Sequence, residues 1–161
     1  MAVNYATVTW DQLHRDARLL AETLMPLGPF KGIVAITRGG LIPAAIIARE
    51  LDCRLIECIS VVTYDEEEQG KPSIVKDPVA AGDGEGFLIV DDLVDSGVTA
   101  QVVRARLPKA TFSCLYAKAA GKPLTDHFVV EVPQDTWILF PWDTAPLFVP
   151  PLAKKNSQDS K

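Results

Sequence analysis

Shortages bound this chain before any motif is read. Its cysteines are few: Cys53, Cys58 and Cys114, an odd number without the C-x-x-C spacing of a zinc or redox site. No secretory leader is read at its start, so the thiols are expected to be reduced core residues of a cytoplasmic protein. No apolar run approaches the roughly 18 residues that a membrane span needs. Basic residues are outnumbered 16 to 21, and a net charge of −5 argues against a broad nucleic-acid footprint. No period of about 20–50 residues repeats, which removes the repeat architectures. What remains is an ordinary globular composition, 48% apolar and 23% charged over 161 residues, long enough for one domain and its core.

Apolar periodicity then divides the chain. In TWDQLHRDARLLAETLM, Thr9 and Gln12 stand at capping-box spacing, and Leu13, Ala17, Leu20, Ala21 and Leu24 fall on one helical face. Pro26, Gly28 and Pro29 end that helix. GIVAI (32–36) is a continuous apolar run of the kind buried on both faces of a parallel sheet, and Pro43 is expected to open the helix PAAIIAREL. RLIECISVV (54–62), GFLIV, ATFSCLYA and HFVVEV read as further strands, and AQVVRARL as a helix. Strands alternating with helices of about ten residues imply an α/β fold with a mainly parallel sheet. Residues 64–84 break the pattern with charge, glycine and proline around a weak strand-like SIV. They read as a flexible lid or a surface insertion. PQDTWILFPWDTAPLFVPP cannot continue the βα alternation and is expected to form a small hood at about 133–152. The polar tail 153–161 is expected to be disordered. Residues 1–152 are thus read as a single domain.

Two loops carry chemistry. Ligands of open parallel sheets bind beyond the carboxyl ends of the strands. TRGG follows GIVAI there: its glycines permit close backbone approach, and Arg38 offers a charged fork to an anion, although a plain turn with a surface arginine has the same composition. DDLVDSGVT follows FLIV, with Asp91 and Asp92 expected at the strand's end and a helix starting near Thr99. Backbone amides of Asp95 to Thr99, with the hydroxyls of Ser96 and Thr99, suit a phosphate at a helix N-terminus. The acid pair beside them suits ribose hydroxyls or a hard cation such as Mg²⁺. Together these groups describe a sugar phosphate.

FLIVDDLVDSGVT resembles the signature of the type I phosphoribosyltransferases at all 13 of its positions. The segments RGGLIPAAIIAREL, GDGEGFLIVDDLVDSGVTA, YAKAAGKPL and VPQDTWILFPWD extend the resemblance to the bacterial xanthine–guanine branch of that family, from Val8 to the FVPP near the end. The resemblance implies the type I fold and transfer of ribose 5-phosphate from phosphoribosyl pyrophosphate (PRPP) to N9 of guanine and xanthine, with hypoxanthine weaker. A hypoxanthine-preferring enzyme and a non-catalytic PRPP-sensing regulator are the alternatives, the latter without an appended DNA-binding element here. Carried onto this chain, Arg38, Gly39, Asp91, Asp92, Leu93, Val94, Asp95, Ser96, Gly97, Val98 and Thr99 would bind PRPP. Within that set Asp95 to Thr99 would take the 5′-phosphate and Asp92 would be the direct Mg²⁺ ligand. The Thr37–Arg38 peptide is a candidate for a cis bond. Asp95, the catalytic candidate, would face purine N7; Lys118 would donate to O6, Trp137 would stack on the base, and the Ile138 backbone would read the C2 substituent. Asp143 is a further candidate near that edge. The family also implies a cytoplasmic homotetramer and allows weak peripheral association with the inner face of the membrane, for which no basic amphipathic helix is present. Three departures stand out: Gly70, followed by Lys71, where the family carries a lid arginine; Val98 in place of a glycine, which implies that no positive φ is needed there; and Ser96 in place of threonine.

Overall fold

The continuous apolar runs become the central strands of a sheet. A computed structural model describes residues 4–63 and 70–143. In chain order the elements are β1 (Asn4–Thr7), α1 (Trp10–Leu24), β2 (Gly32–Thr37), α2 (Leu41–Glu50), β3 (Ile56–Thr63), β4 (Pro72–Lys76), β5 (Phe87–Val94), α3 (Val98–Arg106), β6 (Thr111–Lys118), β7 (His127–Val132) and β8 (Thr136–Leu139). The described residues divide into two compact units, one drawn from His14–Gln134 and the other combining Asn4–Leu13 with Asp135–Asp143.

The larger unit holds a six-stranded sheet in the order β4-β3-β2-β5-β6-β7. Every pairing in it is parallel except that of β4 with β3. GIVAI and FLIV occupy β2 and β5 at its centre, where both faces are covered, which is why they read as unbroken apolar runs rather than alternating ones. One face packs Val34, Ile36, Ile59, Ile89, Phe112 and Cys114 under Ala100 and Val103 of α3 and Leu107 just after it. Burial pushes the Cys114 thiol up to about 12, in keeping with a core thiol. The five residues expected on one face of α1 are all buried, and each leucine among them is worth about 1.5–3 kcal/mol by transfer from water. The buried Tyr116 hydroxyl of β6 donates to Asp16 of α1 at 2.6 Å, and Arg15 donates to the other carboxylate oxygen of Asp16. The main-chain N–H of Gln12 donates to Thr9 Oγ1 at 3.2 Å, as the capping spacing predicts.

Several expectations are corrected. Pro43 does not open α2, which starts at Leu41; proline is accommodated as its third residue, where the missing N–H has no intrahelical partner to lose. Asp91 and Asp92 do not end their strand: β5 runs on to Val94, still paired with Ala117, because Leu93 and Val94 continue the ladder with β6. Within the expected lid, the weak strand-like SIV proves to belong to a full strand. PSIVK forms β4, antiparallel to β3, with a short 3-10 turn at Val79–Ala81 after it. Its root is clamped by Arg106 of α3, whose guanidinium donates to both oxygens of Asp77 and to the Gly82 carbonyl. Residues 64–69 of the expected lid, 144–152 of the expected hood and the tail 153–161 lie outside the described residues.

In the smaller unit β1 pairs in parallel with β8, Asn4 opposite Thr136 through Thr7 opposite Leu139. Neither strand's pairing is visible in the local pattern. Trp142 stacks on Phe140 with ring centroids 4.8 Å apart and leans on Trp10 at 6.2 Å.

Candidate functional site

The strand order positions the site. From β2 the chain winds outward to β3, whereas from β5 it winds the other way to β6, so the topology switches between β2 and β5. A crevice opens at the carboxyl ends of such a strand pair, and that is where an open α/β sheet takes its ligand. TRGG leaves β2 there and DSGVT leaves β5. The two loops meet closely: a Cβ on Gly39 would fall on the Asp92 carboxylate, so only glycine fits beside that acid. The Thr37–Arg38 peptide is cis, as expected. Thr37 Oγ1 is hydrogen-bonded to Ser60 Oγ at 2.6 Å, and the turn is closed by Gly40 N–H donating to the Ile36 carbonyl at 2.8 Å. Arg38 is exposed, and among the described residues its guanidinium meets no carboxylate.

On the other side, Asp95, Ser96 and Gly97 connect β5 to α3. Gly97 has φ 87°, which turns the chain into the helix, and Val98 is already helical, so the residue that departs from the family pattern is free of positive φ. Asp91 and residues Leu93 to Ala100 line a concave pocket of about 120 Å³. The first N–H groups of α3 have no intrahelical acceptors and bear the positive end of the helix dipole, an arrangement whose chemistry suits an anion. The Val98 N–H reaches Ser96 Oγ at 3.5 Å.

The three acids of the motif occupy three environments. Asp91, 8% exposed, accepts the Asp92 N–H at 2.9 Å; burial, and then the Asp92 charge, hold its carboxyl well above the usual carboxylate range. Asp92 is half-buried beside Gly39 and accepts the N–H of Leu93 at 2.7 Å. Asp95 stands on the pocket's rim. One of its oxygens accepts Lys118 Nζ at 2.8 Å and the other accepts Gln134 Nε2 at 2.8 Å. Lys118, the last residue of β6, is itself 4% exposed, a buried ammonium with Asp95 as its counter-charge. Gln134 was not anticipated. A single glutamine between a strand and TW carries no periodic or charge signal, and only the fold brings it to Asp95 across 39 positions.

The fold therefore brings Arg38, Gly39, Asp91 to Thr99 and Lys118 to one crevice. Trp137 and Ile138 lie on β8 in the smaller unit, Trp137 58% exposed and Ile138 buried. Asp143 accepts the Phe140 N–H there at 3.2 Å. Gly70, in place of the lid arginine, has φ 55°, a left-handed conformation that an arginine would adopt only with strain.

Comparison with known proteins agrees with this geometry. The phosphoribosyl transferase domain family matches the chain over residues 10–148. A xanthine-guanine phosphoribosyltransferase of Gluconobacter oxydans is 74% identical over 97% of this chain and 95% of its own. One from Desulfotalea psychrophila is 58% identical over 94% of both. Among solved structures, a purine phosphoribosyltransferase from Pyrococcus horikoshii superposes with a TM-score of 0.77 at 31% identity, covering 92% of this chain and 99% of that one. The concave pocket at the switch point, the acid pair beside it and the matching sequence across nearly the whole length make this chain a member of the type I phosphoribosyltransferase family.

Proposed function

We propose that the protein transfers a 5-phosphoribosyl group from PRPP to N9 of guanine and xanthine, and less readily of hypoxanthine, releasing pyrophosphate. The observation that carries the reading is the pairing of buried Lys118 with half-exposed Asp95 on the rim of the pocket. In the reaction the bond from ribose C1 to pyrophosphate breaks, a bond from C1 to N9 forms, and the purine gives up a proton. The 5′-phosphate is held by the amides of Asp95 to Thr99 at the start of α3. Arg38 faces the pyrophosphate side and favours the negative charge that grows there as the bond breaks. Lys118 donates to the purine O6 while Asp95 meets N7 and steadies the purine as its proton leaves. A 6-amino group would set a donor against the buried Lys118 ammonium, which is why a 6-oxopurine is preferred. The family resemblance implies that Trp137 would stack on the base and that the Ile138 backbone would read its C2 side.

Mg²⁺ fits the donor set. Among the described residues no group of three or more His, Cys, Asp or Glu gathers into a cage. A half-exposed Asp92 with Asp91 behind it is the one- or two-carboxylate arrangement that Mg²⁺ completes with substrate oxygens. Bound through Asp92, the ion would neutralise charge on the pyrophosphate. The reading includes a cytoplasmic location, consistent with the absence among the described residues of any helix long and apolar enough to cross a membrane. It also includes homotetramers, as the family resemblance implies. A spectrophotometric assay with Mg·PRPP and each base in turn tests it. Turnover of guanine and xanthine with equimolar pyrophosphate is expected, and no turnover of any 6-oxopurine would overturn the assignment.

A further inference from the structure

Asp95 has only a three-residue loop to hold it, and its side chain is half exposed. A lysine ammonium is a compact point charge with rotating donors, so Lys118 alone attracts this carboxylate without fixing its rotation. Gln134 supplies the missing constraint. Its Nε2 donates to Asp95 Oδ1 at 2.8 Å, and its Oε1 accepts the main-chain N–H of Ala120 at 3.0 Å. Ala120 lies in the turn that follows Lys118, closed by Gly121 N–H donating to the Lys118 carbonyl at 3.0 Å. The amide thus bridges the turn that carries the lysine and the acid that the lysine faces. Its orientation is determined by both ends: flipped, it would aim an oxygen at the carboxylate and an NH₂ at an N–H.

We propose that Gln134 is the positioning residue of Asp95, anchoring Oδ1 so that Oδ2 alone is exchanged between Lys118 and the incoming purine. The inference rests on the proposed function for the identity of that purine, but the anchoring stands on the hydrogen bonds themselves. When the Lys118 ammonium moves toward O6, Oδ2 is released to accept N7–H, while Oδ1 stays with Gln134. One carboxylate oxygen is structural and the other takes part in the reaction.

Two variants test it. Gln134→Leu keeps the bulk and removes both hydrogen bonds. It is expected to lower kcat for guanine by about tenfold, the scale of one hydrogen bond to a charged group, with the KM for PRPP within about twofold of wild type. Gln134→Glu is expected to be poor at pH 8, where two carboxylates oppose each other. It should recover toward wild type as the pH falls to about 6, because a protonated glutamate again offers a donor to Asp95 and an acceptor to Ala120. Among the described residues, the charged group bonded at that position is Asp95, which in turn pairs with Lys118. Wild-type kcat in Gln134→Leu, or a Gln134→Glu pH profile parallel to wild type, would overturn the proposal. If wild type turns over no 6-oxopurine, the functional reading fails, and the anchoring is then decided by the crystal structure of Gln134→Leu. An Asp95 carboxylate turned out of its present rotamer is expected; an unmoved one contradicts the inference.

Discussion

Asp91 and Asp92 are neighbours in sequence, yet one is buried and the other is half exposed at the crevice. The buried carboxyl keeps its proton to a higher pH in the folded chain than in the unfolded one. Between those two pH values the folded state binds more protons, so stability falls as pH rises above the ordinary carboxylate value of about 3.9. Asp91→Asn removes this cost. The variant is expected to raise the Tm of the ligand-free protein at pH 7 by about 3 °C, for a gain of roughly 1 kcal/mol. The advantage should shrink as the pH is lowered toward 4, and thermal melts across that range read it out. The same change should lower activity, because a carboxylate kept at a stability cost beside the proposed phosphate pocket is kept for its chemistry. A Tm advantage that grew toward low pH would contradict this account of Asp91.

At the scale of elements, the two loops at the switch point are fitted to each other. Gly39 leaves no room for a Cβ beside Asp92, so Gly39→Ala must displace the carboxylate or the turn. The expected result is a folded protein whose KM for PRPP rises about tenfold or more, with the KM for guanine changed far less; equal changes in both would contradict it. Much of this level was legible in the sequence. GIVAI and FLIV announced buried parallel strands, the one-faced leucines announced α1, and Gly-Val-Thr announced the start of α3. The errors were at boundaries. β5 continued past its acids because backbone pairing with β6 tolerates an aspartate that periodicity reads as an end. PSIVK showed only as a weak strand-like SIV, because its stretch is rich in charge and glycine and the strand needs β3 beside it. The β1–β8 pair joins residues more than 130 positions apart, which no local pattern records.

The whole molecule adds what neither a residue nor an element carries. Only the order β3-β2-β5-β6 brings TRGG and DSGVT to one crevice, and only the β5–β6 pairing sets Lys118 beside Asp95. The sequence named each of these residues through resemblance, but not the hydrogen bonds that join them, and it passed over Gln134 altogether. The central claim is that a buried lysine, tethered to an acid on the rim of a phosphate pocket, selects a 6-oxopurine for phosphoribosyl transfer. Its most direct measurement is kcat/KM for guanine against adenine under saturating Mg·PRPP, in wild type and in Lys118→Met. The account predicts that wild type favours guanine by at least about 100-fold and that the substitution lowers guanine turnover while collapsing that ratio. Equal use of the two bases by wild type, or a ratio unchanged without the lysine, would contradict it.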